Sequence, residues 1–376
     1  MKCKKILIFL AGLLLFACVD KNTGILMEIP VDTNQNTSLP LSLITENIKA
    51  IELELTDESM INPDHIIQIL LTDSNVIIAG NKSRNFNSSQ ILVFTIDGKF
   101  SHSIGGRGQS PGEFTYVSHL AIDEKSKHLF VSSREKIICY DLDGKFLKYS
   151  SLFSTNTPPV KDMNFINNEL LIVVEHAPRK DSKGVFQHSA VYKLNDDLQV
   201  IDSCTIRDTY FERAGMYIHP YENFLLFGNG NTYLYYSDIY FNQQNPFENV
   251  LRDTLYCLKN NHLIPELKLK FNNDGIDGSG NKFIWLYNIY RSSRFVFAFY
   301  LNERSNNLNH FCYDIETGTG YNMQEGYTDD INKIDRRIKI LPLITNTEMF
   351  YYWHTHIKPD DPEEPNPTLY IGTLKK

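Results

Sequence analysis

The sequence predicts an all-β protein: a six-bladed β-propeller of four-stranded antiparallel blades. Three observations carry this. Short strand-like runs separated by turn residues fill the chain, and helical periodicity is nearly absent. Two motifs alternate strictly along it, six copies of each. A strand-like segment near the start is left over, in position to complete the last sheet. The 23 Phe and 21 Tyr suit such a fold, because aromatic residues favour strands.

The first motif is a turn residue or a charge followed by an apolar run: "NVIIAG" at 75, "HLFVSS" at 128, "ELLIVV" at 169, "NFLLFG" at 223, "RFVFAF" at 294 and "EMFYYW" at 348. The second has an aromatic and then an aliphatic two residues on. Its aromatics are Phe94, Tyr140, Tyr192, Tyr256, Tyr313 and Tyr370, spaced by 46, 52, 64, 57 and 57 residues. Each repeat then holds strands A to D, the first motif on B and the second on C. In the second repeat these are "SHLAID", "HLFVSS", "KIICYDL" and "KFLKYSS". One such sheet buries too little to stand alone. Six packed face to face around an axis cover both faces of each, which places the propeller over residues 39–376.

The sixth C strand, "TLYIGTL", has no D strand after it. "IKAIELEL", residues 48–55, precedes the first A strand and has no blade of its own. Pairing the two completes the last blade with the first strand of the ring and leaves no unpaired edge there.

Residues 1–17 lie outside the fold. Lys2, Lys4 and Lys5 form a basic region, and Ile6 to Phe16 an apolar one too short to span a bilayer. The segment ends in "LFAC" and resembles the lipobox of bacterial lipoproteins, with Cys18 as the lipid acceptor. An uncleaved helical anchor or an ordinary signal peptide is the alternative. Residues 18–38 then read as the lipidated cysteine and a flexible polar tether. Cleavage removes three lysines and no acid, which takes the net charge from −8 to −11. An acidic chain without a basic run repels phosphate backbones, so nucleic acid is not an expected partner. Cys139, Cys204, Cys257 and Cys312 lack C-x-x-C spacing, which argues against zinc and for buried free thiols.

"SIGGRGQSPGEF", residues 103–114, joins the first D strand to the second A strand. A phosphate-binding loop of the G-x-G-x-x-G type needs glycine where Pro111 stands, and a helix after it. The segment is therefore read as a corner. "IGGRGQSPGEF" followed by "HLAID" resembles the crossing of NHL-type six-bladed propellers. "LSLITENIKAIELELTDESMI", residues 41–61, is similar to the opening of a family of exported bacterial six-bladed β-propeller lipoproteins. That resemblance implies a fold and an envelope location, and brings no catalytic residues with it.

Strand direction assigns the loops to two ends. A–B and C–D turns are short, whereas B–C loops and D–A crossings are long. Long loops on one end of a rigid scaffold are where binding resides. On this long-loop face Arg107 and Glu113 either contact a ligand or pair with each other to hold the corner. His65 and His119 begin the first two A strands and face either the funnel or a backbone hydrogen bond. The fourth B–C insertion carries Tyr233, Tyr235 and Tyr236, as a stacking platform for a sugar or protein, or as a hairpin with its own small core. His354 and His356 share a strand face near Asp360, Asp361, Glu363 and Glu364, a weak metal candidate. "NNDGIDGSGN", residues 272–281, lacks a calcium-loop register and reads as a turn. No H-E-x-x-H motif is present.

The resulting expectation is a lipid-anchored, non-catalytic binding module without a cofactor. Its partners are the membrane, through Cys18, and an envelope protein, peptide or glycan. The alternative, by analogy of fold alone, is a metal-dependent lactonase or lyase with its site in the funnel.

Overall fold

The computed structural model describes residues 26–81, 89–133, 136–151, 160–211, 216–218, 224–237, 239–242, 245–246, 252–273, 275–279, 282–356 and 365–376. Six antiparallel sheets of four ring strands form a six-bladed propeller. Blade 1 holds strands A to D at Ile66–Leu71, Asn75–Asn81, Ser89–Thr95 and Phe100–Ser103. Blade 2 holds His119–Asp123, His128–Ser133, Lys136–Asp141 and Phe146–Ser150. Blade 3 holds Val160–Ile166, Glu169–Glu175, Gly184–Leu194 and Val200–Phe211. Blade 4 holds Leu225–Gly228, Asn231–Leu234, Thr254–Lys259 and His262–Phe271. Blade 5 holds Ile284–Arg291, Phe295–Asn302, Asn307–Asp314 and Thr319–Gln324. Blade 6 holds Leu341–Leu343, Asn346–His354 and Thr368–Leu374, and takes Thr45–Glu52 as its D strand.

All six repeat aromatics lie on C strands, as their spacing predicts. The first motif lies on strand B in five blades. In blade 4 it lies on strand A, because Asn229 and Gly230 both take positive φ, 48° and 70°, and turn "LLFG" straight into "NTYL". Two-residue hairpins favour an Asn-Gly pair for this reason.

The ring closes as expected. Thr45–Glu52 runs antiparallel to Thr368–Leu374, with Ile48 opposite Gly372 and Ile51 opposite Leu369. The strand starts three residues earlier than predicted and ends at Glu52, where the chain passes to blade 1. There Glu54 N–H donates to Gly98 O (2.9 Å) and Phe100 N–H donates to the Glu54 carboxylate (2.9 Å). Ile51 and Leu369 are buried in a cluster shared with Ile69, Val76, Ile78 and Phe94 of blade 1, so closure also packs the joint between the last blade and the first.

The segment expected to be a tether is corrected over 27–38. Met27–Val31 is a fifth strand on blade 4, parallel to its D strand, with Ile29 opposite Leu269. Its apolar residues alternate inward, and Ile29 and Val31 join the main core. The chain then straps blade 5: Thr37 N–H donates to Asn322 O (2.8 Å), and Asn322 Nδ2 donates to Gln35 O (2.9 Å). Leu39, Leu41 and Ile44 are buried on the way to blade 6. One N-terminal stretch therefore ties three blades together.

Near the axis, blades are bonded through polar side chains of A strands. Gln68 of blade 1 accepts from Leu120 N–H (2.7 Å) and donates to Leu120 O (2.8 Å) of blade 2. Asp162 of blade 3 accepts from Phe224 and Leu225 N–H of the next blade, both at 2.7 Å. Asn164 Nδ2 donates to Leu225 O and, at 2.9 Å, to Ile344 O in the A–B turn of blade 6. Phe227 N–H reaches the same Ile344 oxygen at 2.9 Å. Blades 3 and 6 are opposite members of the ring, so these bonds bridge the axis at its short-turn end. Cys139, Cys204, Cys257 and Cys312 are buried free thiols.

Replacing Ile51 by Ala removes apolar packing from the closing strand. The expected loss of stability in chemical denaturation is about 2–5 kcal/mol, the range for emptying a buried Ile site. The same change at the exposed Lys49 is expected to cost little.

Candidate functional site

The long-loop end begins with the crossing at 103–114. It is a closed corner. Phe114 N–H donates to Gly106 O and Gly108 N–H to Phe114 O. Phe114 is buried and anchors the return. Gly105 has φ +68°, and a Cβ there would lie 2.6 Å from the Phe114 ring and 2.7 Å from the Tyr140 hydroxyl. A Cβ at Gly108 would overlap the Glu113 carboxylate. Gly105 needs glycine for its backbone as well as for space, whereas at Gly108 a side chain would displace the Glu113 carboxylate.

The two charges of the crossing have separate roles. The Glu113 carboxylate accepts from Ser110 N–H (3.0 Å), and Lys136 Nζ donates to Ser110 O (2.8 Å). Glu113 thus holds the loop through its backbone, and its pKa is lowered by the Ser110 N–H first, with Lys136 adding to it. Arg107 is exposed beside a groove of about 560 Å³ that Asp57, Glu58 and Gln90 also line.

The other expected ligand contacts are largely internal. Tyr233, Tyr235 and Tyr236 are 1%, 2% and 7% exposed, which corrects their reading as a stacking platform. The physical reason is the shift of blade 4 by one strand. Tyr233 lies on strand B, packed in the main core, and burial raises its pKa to about 12. Tyr235 donates to Arg252 O (2.9 Å), and Tyr236 donates to Glu175 Oε2 (2.8 Å). Strands Met216–Ile218, Ile239–Asn242 and Asn245–Pro246 form a small separate sheet from this region. His119 is buried and His65 is half-buried after the short turn Pro63–His65.

His354 and His356 do meet, with ring centroids 4.5 Å apart. His356 Nε2 pairs with Tyr370 Oη (3.0 Å). Burial, then the charge of Arg336, lowers the His354 pKa, and that same positive charge opposes a cation here. Asp360, Asp361, Glu363 and Glu364 lie outside the described residues. Among the described residues no three His, Cys, Asp or Glu side chains group closely enough to hold a metal.

Sequence reasoning missed the longest strands among the described residues. Residues 176–189, in the long B–C connection of blade 3, fold as a hairpin. Arg179–Asp181 pairs with the start of strand C of blade 3, and strands C and D of that blade run for 11 and 12 residues. The turn "DSKG" was its sequence signal, with Lys183 N–H donating to Asp181 Oδ1 (2.7 Å). On this ear Tyr210 is 46% exposed, 5.0 Å from the Phe186 ring. The Lys183 ammonium lies 5.9 Å from the Tyr210 ring, and the Arg179 guanidinium 5.7 Å from that of Phe186. Tyr210 donates to Asp181 Oδ2 (3.0 Å), and His188 Nδ1 lies 2.6 Å from Asp208 Oδ1. The ear is an aromatic pair with a basic rim, held by two carboxylates, a surface for stacking and for anionic or hydroxylated groups.

Comparison with known proteins agrees with the fold. A family profile, Domain of unknown function (DUF4934), matches residues 26–367. A candidate exported protein of Bacteroides fragilis has a similar structure, with TM-score 0.61 and 15% sequence identity, covering 93% of this chain and 100% of that one. A protein of unknown function from Bacteroides caccae aligns with TM-score 0.38 and 11% identity, over 81% of this chain and 94% of its own. No curated protein matches the sequence.

The two charges of the crossing should separate in hydrogen exchange. Glu113→Ala is expected to speed amide exchange several-fold at Ser110 and its neighbours, and Arg107→Ala to leave it unchanged. The Glu113 pKa is lowered on folding, so its contribution is complete above the ordinary carboxylate range and fades as pH falls through the lowered value. Protection at Ser110 should persist at neutral pH and weaken only in acid.

Proposed function

We propose, for a chain that belongs to the DUF4934 family, a non-catalytic binding module of the bacterial cell envelope, lipid-anchored at Cys18. It holds a protein, peptide or glycan on its long-loop face. The observation that carries this reading is the blade 3 ear, where exposed Tyr210 and half-buried Phe186 pair, flanked by Lys183 and Arg179. A rigid scaffold presenting an aromatic patch with charged flanks is a usual form of a recognition surface. A partner bearing carboxylate or hydroxyl groups suits that rim best.

The direction of the N-terminal strand supports the anchor. Met27–Val31 runs parallel to strand D of blade 4, so its first residue points toward the short-turn side. Fully extended chain spans roughly 3.5 Å per residue, so Cys18 lies within about 28 Å of Leu26. A lipid on Cys18 holds the short-turn side to the membrane and turns the ear outward. The description of the similar Bacteroides fragilis protein as an exported protein supports an envelope location.

Two measurements test this. Cys18→Ser should abolish incorporation of a labelled fatty acid and move the protein from the membrane fraction to the soluble one; unchanged labelling removes the anchor. A photo-crosslinking residue at Tyr210 should trap an envelope component in cells, and one at Asp143, in the opposite C–D turn of blade 2, should not. Adducts at Asp143 alone would turn the binding face round.

A further inference from the structure

We propose that a second site lies between blades 5 and 6, a cavity of about 280 Å³ that binds a small uncharged planar molecule through a carboxamide or lactam edge. It is separate from the blade 3 ear and does not depend on it. The argument starts from a pattern on alternate blades. Strand A of blades 1, 3 and 5 carries a bulge, at Ile66–Gln68, Val160–Asp162 and Leu286–Asn288. After each bulge stands a buried polar residue: Gln68, Asp162 and Asn288. The first two bond the backbone of the next blade's A strand.

Asn288 has no such partner. The next A strand, Leu341–Leu343, is only three residues long, and the chain reaches it through the hairpin Tyr327–Asp329 and Ile334–Ile338. The hairpin is pinned to blade 6, where Tyr352 donates to Asp329 Oδ2 (2.7 Å). Space remains between it and blade 5. Asn288 is 2% exposed, yet neither its Nδ2 nor its Oδ1 has a hydrogen-bond partner. His310 is 6% exposed, and its Nε2 is also without a partner. Both residues line the same cavity, with their unpaired atoms just behind its surface. Buried polar atoms are nearly always paired in native proteins, and leaving them unpaired is costly. Two such groups bordering one cavity mark a place where a small side-chain shift admits a polar guest.

The lining selects its chemistry. Tyr287, Tyr290, Phe297, Phe299 and Tyr327 give the cavity aromatic walls, which suit a flat ring. No carboxylate lines it, and Lys339 stands exposed at its edge, so a cation is disfavoured. Burial, with Lys339 adding to it, pushes the His310 pKa down to about 3, so the imidazole is neutral at ordinary pH. The inner end thus offers no fixed charge to hold a carboxylate. Asn288 presents an N–H donor beside a carbonyl acceptor, and a carboxamide or lactam presents the reverse pair. The volume is at the small end for ligand pockets, room for one or two rings.

Benzamide is the probe, with benzoate and toluene as comparisons, titrated into the purified protein and followed by NMR shifts or calorimetry. The expected result is saturable benzamide binding, with benzoate about tenfold weaker or more. Asn288→Leu should weaken benzamide by about tenfold, a loss of the order of one paired hydrogen-bonding group, while toluene binds as before. That variant should melt no lower than the parent, since an apolar side chain of similar size replaces an unpaired amide. Should it fail to fold, His310→Leu provides the same comparison. Absence of benzamide binding, equal binding of all three probes, or unchanged benzamide affinity in a folded Asn288→Leu or His310→Leu protein would overturn the proposal.

Discussion

A ring of twisted sheets has to close, and here main-chain hydrogen bonds between the two ends of the fold close it. Strand C of blade 6 would otherwise present an open edge, with Leu369 and Ile371 beside it. Thr45–Glu52 covers that edge, and Ile51 fills the joint with blade 1. The described cysteines are free, so none of them links the ends covalently. Closure rests instead on register and packing. The same segment does more than shut the ring: before it reaches blade 6 it adds a strand to blade 4 and bonds to Asn322 of blade 5. Asn322 is fully buried and also accepts from the Tyr300 hydroxyl (2.8 Å), so the strap is locked to the interior of that blade.

A second constraint acts at the axis. Inner strands of neighbouring blades converge too closely for side chains of ordinary size to separate them, and their outward backbone groups need partners. Gln68 and Asp162 supply these from alternate blades, and Asn164 carries the bond across the ring to blade 6. The channel is bridged at the short-turn end, which leaves its long-loop mouth and the outer projections as the surfaces that differ from blade to blade. The blade 5 departure from this pattern and the blade 3 extension are two places where the fold does more than repeat itself.

The repeat, the blade number and the clasp were legible in the sequence because each rests on local chemistry. The aromatic on strand C recurs at every blade, and "IKAIELEL" had no other sheet to join. The errors came where the answer depends on a neighbouring blade. "LLFG" and "NTYL" are both short apolar strands, and periodicity does not say which is inner; the Asn229–Gly230 pair between them was the overlooked signal. The tyrosines after it were then assigned to a loop, although Tyr233 sits in the core. "MEIPV" is short, runs into the polar "VDTNQNTS", and has its partner about 240 residues away in the chain. The crossing was legible as a corner from its glycines, but the partner of Glu113 was not, since it is the Ser110 backbone. Nothing local separates Asn288 from a surface amide; its burial and its missing partner exist only once blades 5 and 6 are assembled.

The most direct test of non-covalent closure within one chain is a cysteine pair at Asn47 and Thr373, which face each other across the two end strands. The closed ring predicts that the double variant forms an intramolecular disulfide on mild oxidation, remains monomeric, and unfolds at higher denaturant than its reduced form. A disulfide that joins two chains, or no bond between these positions, would contradict it.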